Sequence, residues 1–458
     1  MGRAVRGLRG VIAGVLVILA LGAAPGAQAQ TSGEISNDAD LQKAYDDAFA
    51  AMMADPQNLD KTFAFAELAT RKGDLEGAVS ALERMLFVNP DLPRVKLELG
   101  VLYFRLGSFE TARAYLQGAL DTPDVPPNVR ERANLFLSEI DRRASVHQFT
   151  GTLYGGVRVQ SNANAAPSGT NVMALGQSAT LNSQFTKKGD FNLFAAANVK
   201  YTYDFQDQNQ DLMEVTGAFY SARQQQQTLF NLTFFETTAG PRLPVPSDWL
   251  WSGASLSVRP YFILDWVQLH DNPYYYAPGG GFEWLNQIRS GTLLQINTEA
   301  RNKSYTNTGS FPTVTDQDGN EFLAHGQIIQ ALTDELAALF SGTFSKLNAR
   351  NPAQGYKYYD YGLGLSWSFD APFKLTERPW NLTATAVRAF YIYDQPDVTV
   401  DPNDTRFDRD WRFAFINQVQ LDDAFSVITT IGRTIRQSSI ANYEYNNNYA
   451  SIGLSWRF

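Results

Sequence analysis

The sequence predicts an α + β protein of several domains, in which an N-terminal helical solenoid precedes a transmembrane antiparallel β-barrel. Three observations predict it. Residues 40–145 repeat on themselves with a period of 34, the apolar pattern changes from helical to strand spacing near residue 148, and the chain stops on Phe458 at the end of an alternating segment. A length of 458 residues allows two or three domains.

Residues 1–29 are predicted to be a signal peptide. An apolar run at residues 11–21 is followed by the small-residue site Ala27-Gln28-Ala29, and three arginines precede the run: Arg3, Arg6 and Arg9. A membrane anchor is the weaker alternative, because the run has about half of the ~20 residues that span a bilayer. Cleavage after Ala29 changes the formal charge of the chain from −9 to −12.

The composition argues against several classes of function. The chain has no cysteine, which excludes disulfides, thiolate metal sites and an N-terminal lipidated cysteine. The acidic charge argues against a nucleic-acid partner. The three histidines, His147, His270 and His325, have no spacing that indicates a catalytic triad or a zinc site. We therefore predict no enzymatic activity, no cofactor and no metal site.

Residues 30–145 are predicted to form the helical domain, with an ordinary helical bundle as the alternative. Small and apolar residues recur 34 positions apart as Gly73 and Gly107, Ala78 and Ala112, and Leu82 and Leu116. Small residues allow close helix packing, and glycine allows one helix to turn into the next. The pattern resembles the tetratricopeptide repeat, with signature positions at Leu99, Gly100, Tyr103, Gly107, Ala112 and Ala119. We expect two full repeats, a helix at about 40–54 before them, and a capping helix at about 127–144.

Paired helices that stack into a superhelix offer a concave face to an extended or helical segment of a partner. Repeat position predicts this partner-binding face to be Asp60, Phe63, Glu67, Arg71, Arg94, Leu97, Phe104 and Arg105. The alternative is that these residues are ordinary solvated helix surface.

Residues 146–458 are predicted to form the barrel, with a soluble β-sandwich as the alternative. Apolar and polar residues alternate in segments such as 359–369, as strands between lipid and a polar lumen require. The length accommodates about 14 strands, with 12 or 16 also possible. The polar stretches 305–321 and 394–410 are expected to be external loops. The second stretch carries six aspartates: Asp394, Asp397, Asp401, Asp404, Asp408 and Asp410.

Two further segments of the barrel region are distinctive. The aromatic and proline-rich stretch 249–282, which includes Trp249, Trp251, Pro260 and Gly279-Gly280-Gly281, is expected to form an interfacial aromatic girdle. A role in opening the barrel wall is the alternative, because glycine and proline weaken strand pairing. The last strand presents Leu454, Trp456 and Phe458 on one face, which resembles the signal read by the bacterial barrel-assembly machinery.

Several motifs together resemble the surface lipoprotein assembly modulator (Slam) family. The motifs are Gly151-Thr-Leu-Tyr-Gly-Gly156, Gln160-Ser-Asn-Ala-Asn-Ala-Ala-Pro167, Asn442-Tyr-Glu-Tyr445 and Ser455-Trp-Arg-Phe458, placed after a repeat domain. The resemblance implies a 14-stranded barrel in the bacterial outer membrane, with a periplasmic repeat domain. It also implies a translocator that helps to deliver surface lipoproteins or secreted proteins across that membrane.

The implied partners are a protein client, the barrel-assembly machinery and outer-membrane lipid. Two other functions stay open at this point. An exopolysaccharide-export barrel also couples repeats to a barrel, although it normally has many more repeats. A passive porin, whose repeats dock a periplasmic partner, is the other alternative.

Overall fold

The computed structural model describes residues 38–55, 58–123, 125–143, 145–246, 255–289, 291–376 and 378–458. They form two compact units that meet in sequence between Gln148 and Phe149, and each unit is described by itself. The predicted signal peptide, Trp249 and Trp251 lie outside the described residues. Within the described ranges, no helix is both long and apolar enough to cross a membrane.

The first unit consists of six helices, and it confirms the predicted tetratricopeptide-like solenoid. The helices are α1 (Asp38–Ala54), α2 (Leu59–Lys72), α3 (Leu75–Val88), α4 (Pro93–Arg105), α5 (Phe109–Leu120) and α6 (Pro127–Arg143). Helices α2 and α3 form the first pair, and α4 and α5 form the second. The turns within the pairs contain Gly73 at φ 90° and Gly107 at φ 76°, a left-handed conformation that favours glycine.

The repeat positions hold the helix pairs together. Ala78 and Ala112 are fully buried, and Leu116 at the equivalent of Leu82 is fully buried as well. A Cβ atom added to Gly100 on α4 would lie 2.6 Å from Cγ of Leu116 on α5. Only glycine permits this approach without displacing the neighbouring helix, which gives a packing reason for the signature residue.

The two helix pairs differ in how their second helix begins, which gives a test of the capping interaction. The Asp74 carboxylate accepts a hydrogen bond from the Gly77 N–H at 2.9 Å and another from the Tyr45 hydroxyl at 2.6 Å. Ser108 occupies the same repeat position before α5 but makes no side-chain cap hydrogen bond to the backbone.

We expect Asp74→Ala to lower the free energy of unfolding of the helical unit by about 1 kcal/mol, whereas Ser108→Ala lowers it much less. The hydrogen bond from Tyr45 holds the pKa of Asp74 below its usual range. The stabilising contribution of the ionised Asp74 carboxylate is therefore complete at neutral pH and is lost as the pH falls below about 4. Urea unfolding followed by helical circular dichroism checks both points, and equal losses in the two variants would contradict this account.

The second unit is a closed barrel of fourteen antiparallel strands, as predicted. The barrel strands are β1 (His147–Gln160), β4 (Asp190–Asp204), β5 (Leu212–Gln224), β6 (Leu232–Val245), β7 (Ser255–Leu269), β8 (Asn272–Arg289), β9 (Thr292–Tyr305), β10 (Gly319–Ala331), β11 (Leu336–Ala349), β12 (Tyr356–Phe369), β13 (Trp380–Tyr393), β14 (Phe407–Gln420), β15 (Phe425–Ser438) and β16 (Tyr445–Arg457). A separate two-stranded sheet, β2 (Asn171–Ala174) with β3 (Gln177–Thr180), lies in the first connection.

The barrel has an apolar outer wall and a largely polar inner wall. Alternate residues of β12 show the division: Tyr361 and Leu363 are more than half exposed on the outside, whereas Tyr358 faces inward and is 8% exposed. The buried polar residues of the other strands share the inward side, including Glu214 and Asp410. An apolar exterior around a polar interior is the reverse of a soluble β-sandwich, and it suits a barrel that is surrounded by lipid.

The start of β1 and the end of β16 lie at one end of the barrel, which we call the terminal end. Thr152 pairs with Arg457 there, and Gln160 pairs with Tyr449 toward the opposite end, which we call the loop end. The longest connections lie at the loop end. They include residues 161–189, 306–318 and 394–406.

The structure corrects the predicted loop 394–410. Its last four residues belong to β14, where Asp408 and Asp410 face inward and are fully buried. The polar stretch 305–321 is a loop only from residue 306 to residue 318, and Phe311 within it is 1% exposed.

The described part of the aromatic and proline-rich stretch forms β7 and β8. Pro260 pairs with Phe282 and Tyr261 pairs with Gly281, so the three glycines lie within a continuous ladder. The β7–β8 ladder has one register shift, between Val267 and Gln268, and the β8–β9 ladder has another, between Gln287 and Arg289. The β6–β7 ladder is interrupted between Ala239 and Leu243, opposite Pro260. Tyr276 and Phe282 are exposed on the outer wall, and the interfacial girdle stays a prediction.

Candidate functional site

The predicted partner-binding face of the helical unit is partly exposed. Asp60, Glu67, Arg71 and Arg105 are exposed on the first helices of the two pairs. The structure brings together Phe63 of α2 and Arg94 of α4, whose guanidinium carbon lies 4.8 Å from the centre of the phenyl ring. A cation over an aromatic ring stabilises the contact between successive repeats. Arg94 is exposed, and Phe63 is half-buried against the core of the first helix pair.

Two residues of the predicted face belong to the packed interior. Leu97 is 1% exposed and packs in the cluster that contains Val129 and Ala133 of α6. Phe104 packs edge-on against Phe136 of α6, with ring centres 5.4 Å apart. The capping helix covers this part of the second repeat, so Leu97 is not available to a partner.

Two contacts that the sequence did not indicate join the helices. Arg132 of α6 donates to Glu98 of α4 at 3.1 Å. This pair adds one positive and one negative group to the surface that carries Arg94 on the same helix α4. The Glu83 carboxylate accepts hydrogen bonds from the hydroxyls of Tyr103 and Tyr115. Burial, together with the charge of Glu83, raises the pKa of Tyr115 to about 12. Tyr115 therefore stays a neutral donor at physiological pH.

The inner wall of β4 to β8 carries a network of alternating charges. Arg242 donates to Glu214 and to Glu283, each at 2.9 Å. Arg259 also donates to Glu283, at 3.0 Å, and Lys200 lies 2.5 Å from Glu214. Because each carboxylate has at least two cationic partners, the network neutralises its own charges and fixes the strands in register.

Strands β6 to β10 carry a second network around Arg301. The guanidinium of Arg301 pairs with the carboxylates of Glu236, Asp265 and Glu299. Lys303 continues the network by pairing with Glu321 at 2.6 Å. Three carboxylates around one guanidinium make this part of the lumen acidic.

A third network, on β14 and β15, surrounds the two aspartates that the sequence had placed in a loop. Asp408 pairs with Arg406, and Asp410 pairs with Arg436 at 2.6 Å and with Arg412 at 3.1 Å. Inward-facing tyrosines lie beside these charges: Tyr356, Tyr358, Tyr391, Tyr393 and Tyr445. The five tyrosines are 4–8% exposed, so this part of the inner wall is closely packed.

The loop end of β4 to β9 presents an apolar inner surface. Phe194, Tyr220, Phe234 and other inward residues form one buried cluster, which includes Phe311 and Val314 of the loop 306–318. This loop therefore packs inward onto the strands. We call the loop residues 306–318 the inner loop.

The Asn-containing turn after β1 has a structural role. Asn162 is 3% exposed, and its side-chain amide bonds to both the carbonyl and the N–H of Ala166. Its backbone N–H donates to the side chain of Asn447 on β16 at 2.9 Å. The side-chain amide of Asn164 donates to the carbonyl of Thr186 and accepts from the N–H of Lys188. The motif fixes the first loop to the closing strand.

The residues of the predicted assembly signal lie on the outer wall at the terminal end. Leu454, Trp456 and Phe458 are each 36–48% exposed. Phe458 exchanges two backbone hydrogen bonds of 3.0 Å with Gly151, and its ring lies 5.6 Å from that of Phe149. The last residue of the chain therefore takes part in closing the barrel.

The described residues contain no group of histidine and carboxylate side chains arranged to hold a metal ion. His270 contacts the carbonyl of Thr228 through Nδ1 at 3.0 Å, and His325 contacts the Thr343 hydroxyl at 3.0 Å. Neither contact includes the carboxylate that would orient a catalytic base.

Comparison with known proteins agrees with the helix pairs. Residues 69–130 match the tetratricopeptide repeat family. Among curated protein sequences, none matches the chain.

Solved structures resemble about a quarter of the chain. A tetratricopeptide repeat protein from Parabacteroides merdae is 22% identical over 23% of this chain and 39% of its own, with a TM-score of 0.21. The Yersinia enterocolitica type III secretion chaperone SycD, in complex with a peptide of the translocator YopD, is 14% identical over 23% of this chain and 84% of its own, with a TM-score of 0.22. The chain combines a region that matches the tetratricopeptide repeat family with a closed β-barrel.

Proposed function

We propose that this chain is an outer-membrane translocator that assists the delivery of surface lipoproteins or secreted proteins across the outer membrane. The observation that carries the proposal is the combination, in one chain, of a repeat fold that binds proteins and a closed barrel with an apolar outer wall. The resemblance of several motifs to the Slam family supports the same reading.

The proposal places the barrel in the bacterial outer membrane and the helical unit in the periplasm. Bacterial barrels have an even number of strands, so both barrel termini lie on one side, and short turns face the periplasm. The terminal end has the four-residue connections 332–335 and 421–424, and the longest loops lie at the opposite end. A signal peptide at residues 1–29 would direct the export that this location requires.

The helical unit would recognise the client or a periplasmic partner through Phe63, Arg94 and the exposed charges beside them. This mixed surface suits a peptide that carries both charges and an apolar anchor. The chain performs no chemistry in this proposal, and it acts without a cofactor. Assembly into the membrane would use the barrel-assembly machinery and the outward aromatic residues of β16.

The test is co-expression with lipoproteins that are encoded beside this chain, with protease-accessible lipoprotein scored on intact cells. We expect surface exposure only when the chain is present. Deletion of residues 40–145 is expected to abolish the exposure while the barrel still inserts, because recognition precedes translocation.

A matched pair of substitutions locates the recognition surface. Phe63→Ser removes the ring under Arg94, and Phe87→Ser changes a ring that is 93% exposed at the end of α3. We expect the first variant to reduce lipoprotein exposure and the second to leave it unchanged. Circular dichroism checks that both variants fold. Equal effects of the two, or exposure without the chain, would overturn the proposal.

An exopolysaccharide-export or porin-type barrel is the second candidate, and one observation favours it. The inner wall carries tyrosine hydroxyls beside paired carboxylates and arginines, which are groups that form hydrogen bonds with sugar hydroxyls, and its tyrosines Tyr358 and Tyr391 are buried in this structure. The two candidate functions predict different experimental results. Conductance in planar bilayers that is blocked by an oligosaccharide, with no change in lipoprotein exposure, would favour this second candidate.

A further inference from the structure

Three arginines occupy the outer wall of the barrel on neighbouring strands. Strand pairing places Arg388 of β13 beside Trp411, Arg409 of β14 beside Phe390, and Arg433 of β15 beside Phe413. Trp411 and Phe413 are exposed on the outside, and adjacent inward residues such as Asp410 are buried. The three arginine side chains therefore point away from the lumen.

These outward arginines differ from the inward ones on the same strands. Arg412 and Arg436 pair with Asp410 in the lumen. The outward three make no ion pair with any residue in the described ranges, and Arg409 and Arg433 are exposed on the outer wall. The three outward arginines therefore lack an anionic partner within the described residues.

Aromatic rings flank the guanidiniums of Arg388 and Arg409, and Arg433 lies opposite Phe413 in the strand pairing. The guanidinium carbon of Arg388 lies 4.9 Å from the ring centre of Trp411 and 5.2 Å from that of Phe390. Arg409 lies 5.7 Å from the ring of Phe407. A ring beneath a guanidinium holds its plane and leaves the N–H edge open to a ligand.

The strand positions place the group at one edge of the apolar band. Arg388 lies eight residues along β13 from Trp380, and Arg433 lies eight residues along β15 from Phe425, with both aromatic residues at the terminal end. A strand tilted by about 40° advances about 2.5 Å per residue along the barrel axis. Arg388 and Arg433 therefore lie about 20 Å from the terminal girdle, and Arg409, which pairs with Phe390, lies about 25 Å from it, near the far edge of an apolar band of about 25 Å.

We propose that the outer wall of β13 to β15 binds the phosphate-bearing headgroup of an anionic lipid, through Arg388, Arg409 and Arg433. Guanidinium groups bind phosphate oxygens with two parallel hydrogen bonds, and an unpaired cation at the edge of an apolar band is costly without an anion. Headgroup phosphates lie at that depth, and acyl chains would cover the apolar wall below. The inference rests on the proposed location of the barrel in a membrane.

The test measures lipid retention by the purified full chain in mixed micelles, with phosphatidylglycerol and phosphatidylcholine compared by native mass spectrometry. We expect the wild-type chain to retain phosphatidylglycerol preferentially. The triple variant Arg388→Gln, Arg409→Gln and Arg433→Gln is expected to weaken this retention by at least about tenfold, since each charge-assisted pair contributes.

A matched variant controls for charge. Arg223, Lys346 and Arg350 are cations near the loop end that already have carboxylate partners, namely Asp271, Asp394 and Asp318. Arg223→Gln, Lys346→Gln and Arg350→Gln together make the same change in net charge. We expect this control to retain phosphatidylglycerol as the wild type does.

A single variant and a competition with inorganic phosphate complete the test. Arg433→Gln alone changes an exposed side chain and is expected to weaken retention about threefold if the triple variant fails to fold. Excess inorganic phosphate should not displace the lipid, because the site also uses the acyl chains. Equal losses in the two triple variants, displacement by free phosphate, or no lipid preference in the wild type would overturn the inference. Lipid retention without lipoprotein exposure would refute only the translocator proposal.

Discussion

Replacing Asp410 by alanine is expected to cause the largest loss of barrel stability of the changes considered. The carboxylate is fully buried, and it accepts hydrogen bonds from Arg436 at 2.6 and 2.7 Å and from Arg412 at 3.1 Å. Without it, two inward guanidiniums lose a counter-charge in the lumen. Removing one partner of a buried ion pair costs about 3–5 kcal/mol.

Urea unfolding of the chain in micelles, followed by the shift in electrophoretic mobility between folded and unfolded barrel, measures this loss. Asp404→Ala is the matched control, because it makes the same chemical change at an exposed position of the loop 394–406. A surface change of this kind alters the free energy of unfolding by less than about 0.5 kcal/mol. If Asp410→Ala were as stable as Asp404→Ala, the third charge network would have no structural role.

The second large effect concerns the closing strand. We expect Phe458→Ala to reduce the amount of barrel inserted into the outer membrane more than about tenfold, since the lost apolar contact corresponds to about 2 kcal/mol. The ring of Phe458 packs against Phe149 of β1 and Trp456, and Gly151 pairs with its backbone. The substitution therefore affects both the contact that closes the barrel and the proposed assembly signal.

Phe425→Ala provides the comparison for Phe458→Ala. Phe425 is 37% exposed and Phe458 is 36% exposed, and both rings lie at the terminal end beside Trp456. We expect Phe425→Ala to insert nearly as the wild type, because it is neither terminal nor paired with β1. Immunoblotting of membrane fractions gives the amounts. Parallel losses in both variants would mean that lipid anchoring, and not closure or recognition, is what Phe458 provides.

The repeat and the two walls of the strands followed from the sequence because they depend on local periodicity, whereas the length of the barrel region allowed about 14 strands, with 12 or 16 also possible. Residues such as Ala78 and Ala112 mark helix contacts at a fixed interval, and alternation marks the two walls of each strand. Leu97 shows where that reasoning ends. The repeat position of Leu97 predicted an exposed side chain, but helix α6 packs over it. Whether a further helix covers a repeat depends on the number of helices in the solenoid, which the repeat pattern of one segment does not contain.

The lumen could not be predicted in the same way. Asp408 and Asp410 lie in a run of aspartates that has the composition of a loop, yet their partner Arg436 comes from the next strand. Phe311 lies in a polar stretch and still packs inside the barrel. In both cases the deciding contact depends on strand register or loop path, which the periodicity of a single segment does not contain.

The inner loop has a consequence for the binding of any ligand in the lumen. Releasing Phe311 from its buried contacts would expose an aromatic ring at a cost of about 2 kcal/mol, so the released conformation would be populated at about one part in thirty. A ligand that requires this conformation would bind about thirtyfold more weakly than to a barrel with the inner loop already displaced. The inner loop thus sets an affinity threshold, and a ligand that does not require its displacement is unaffected by it.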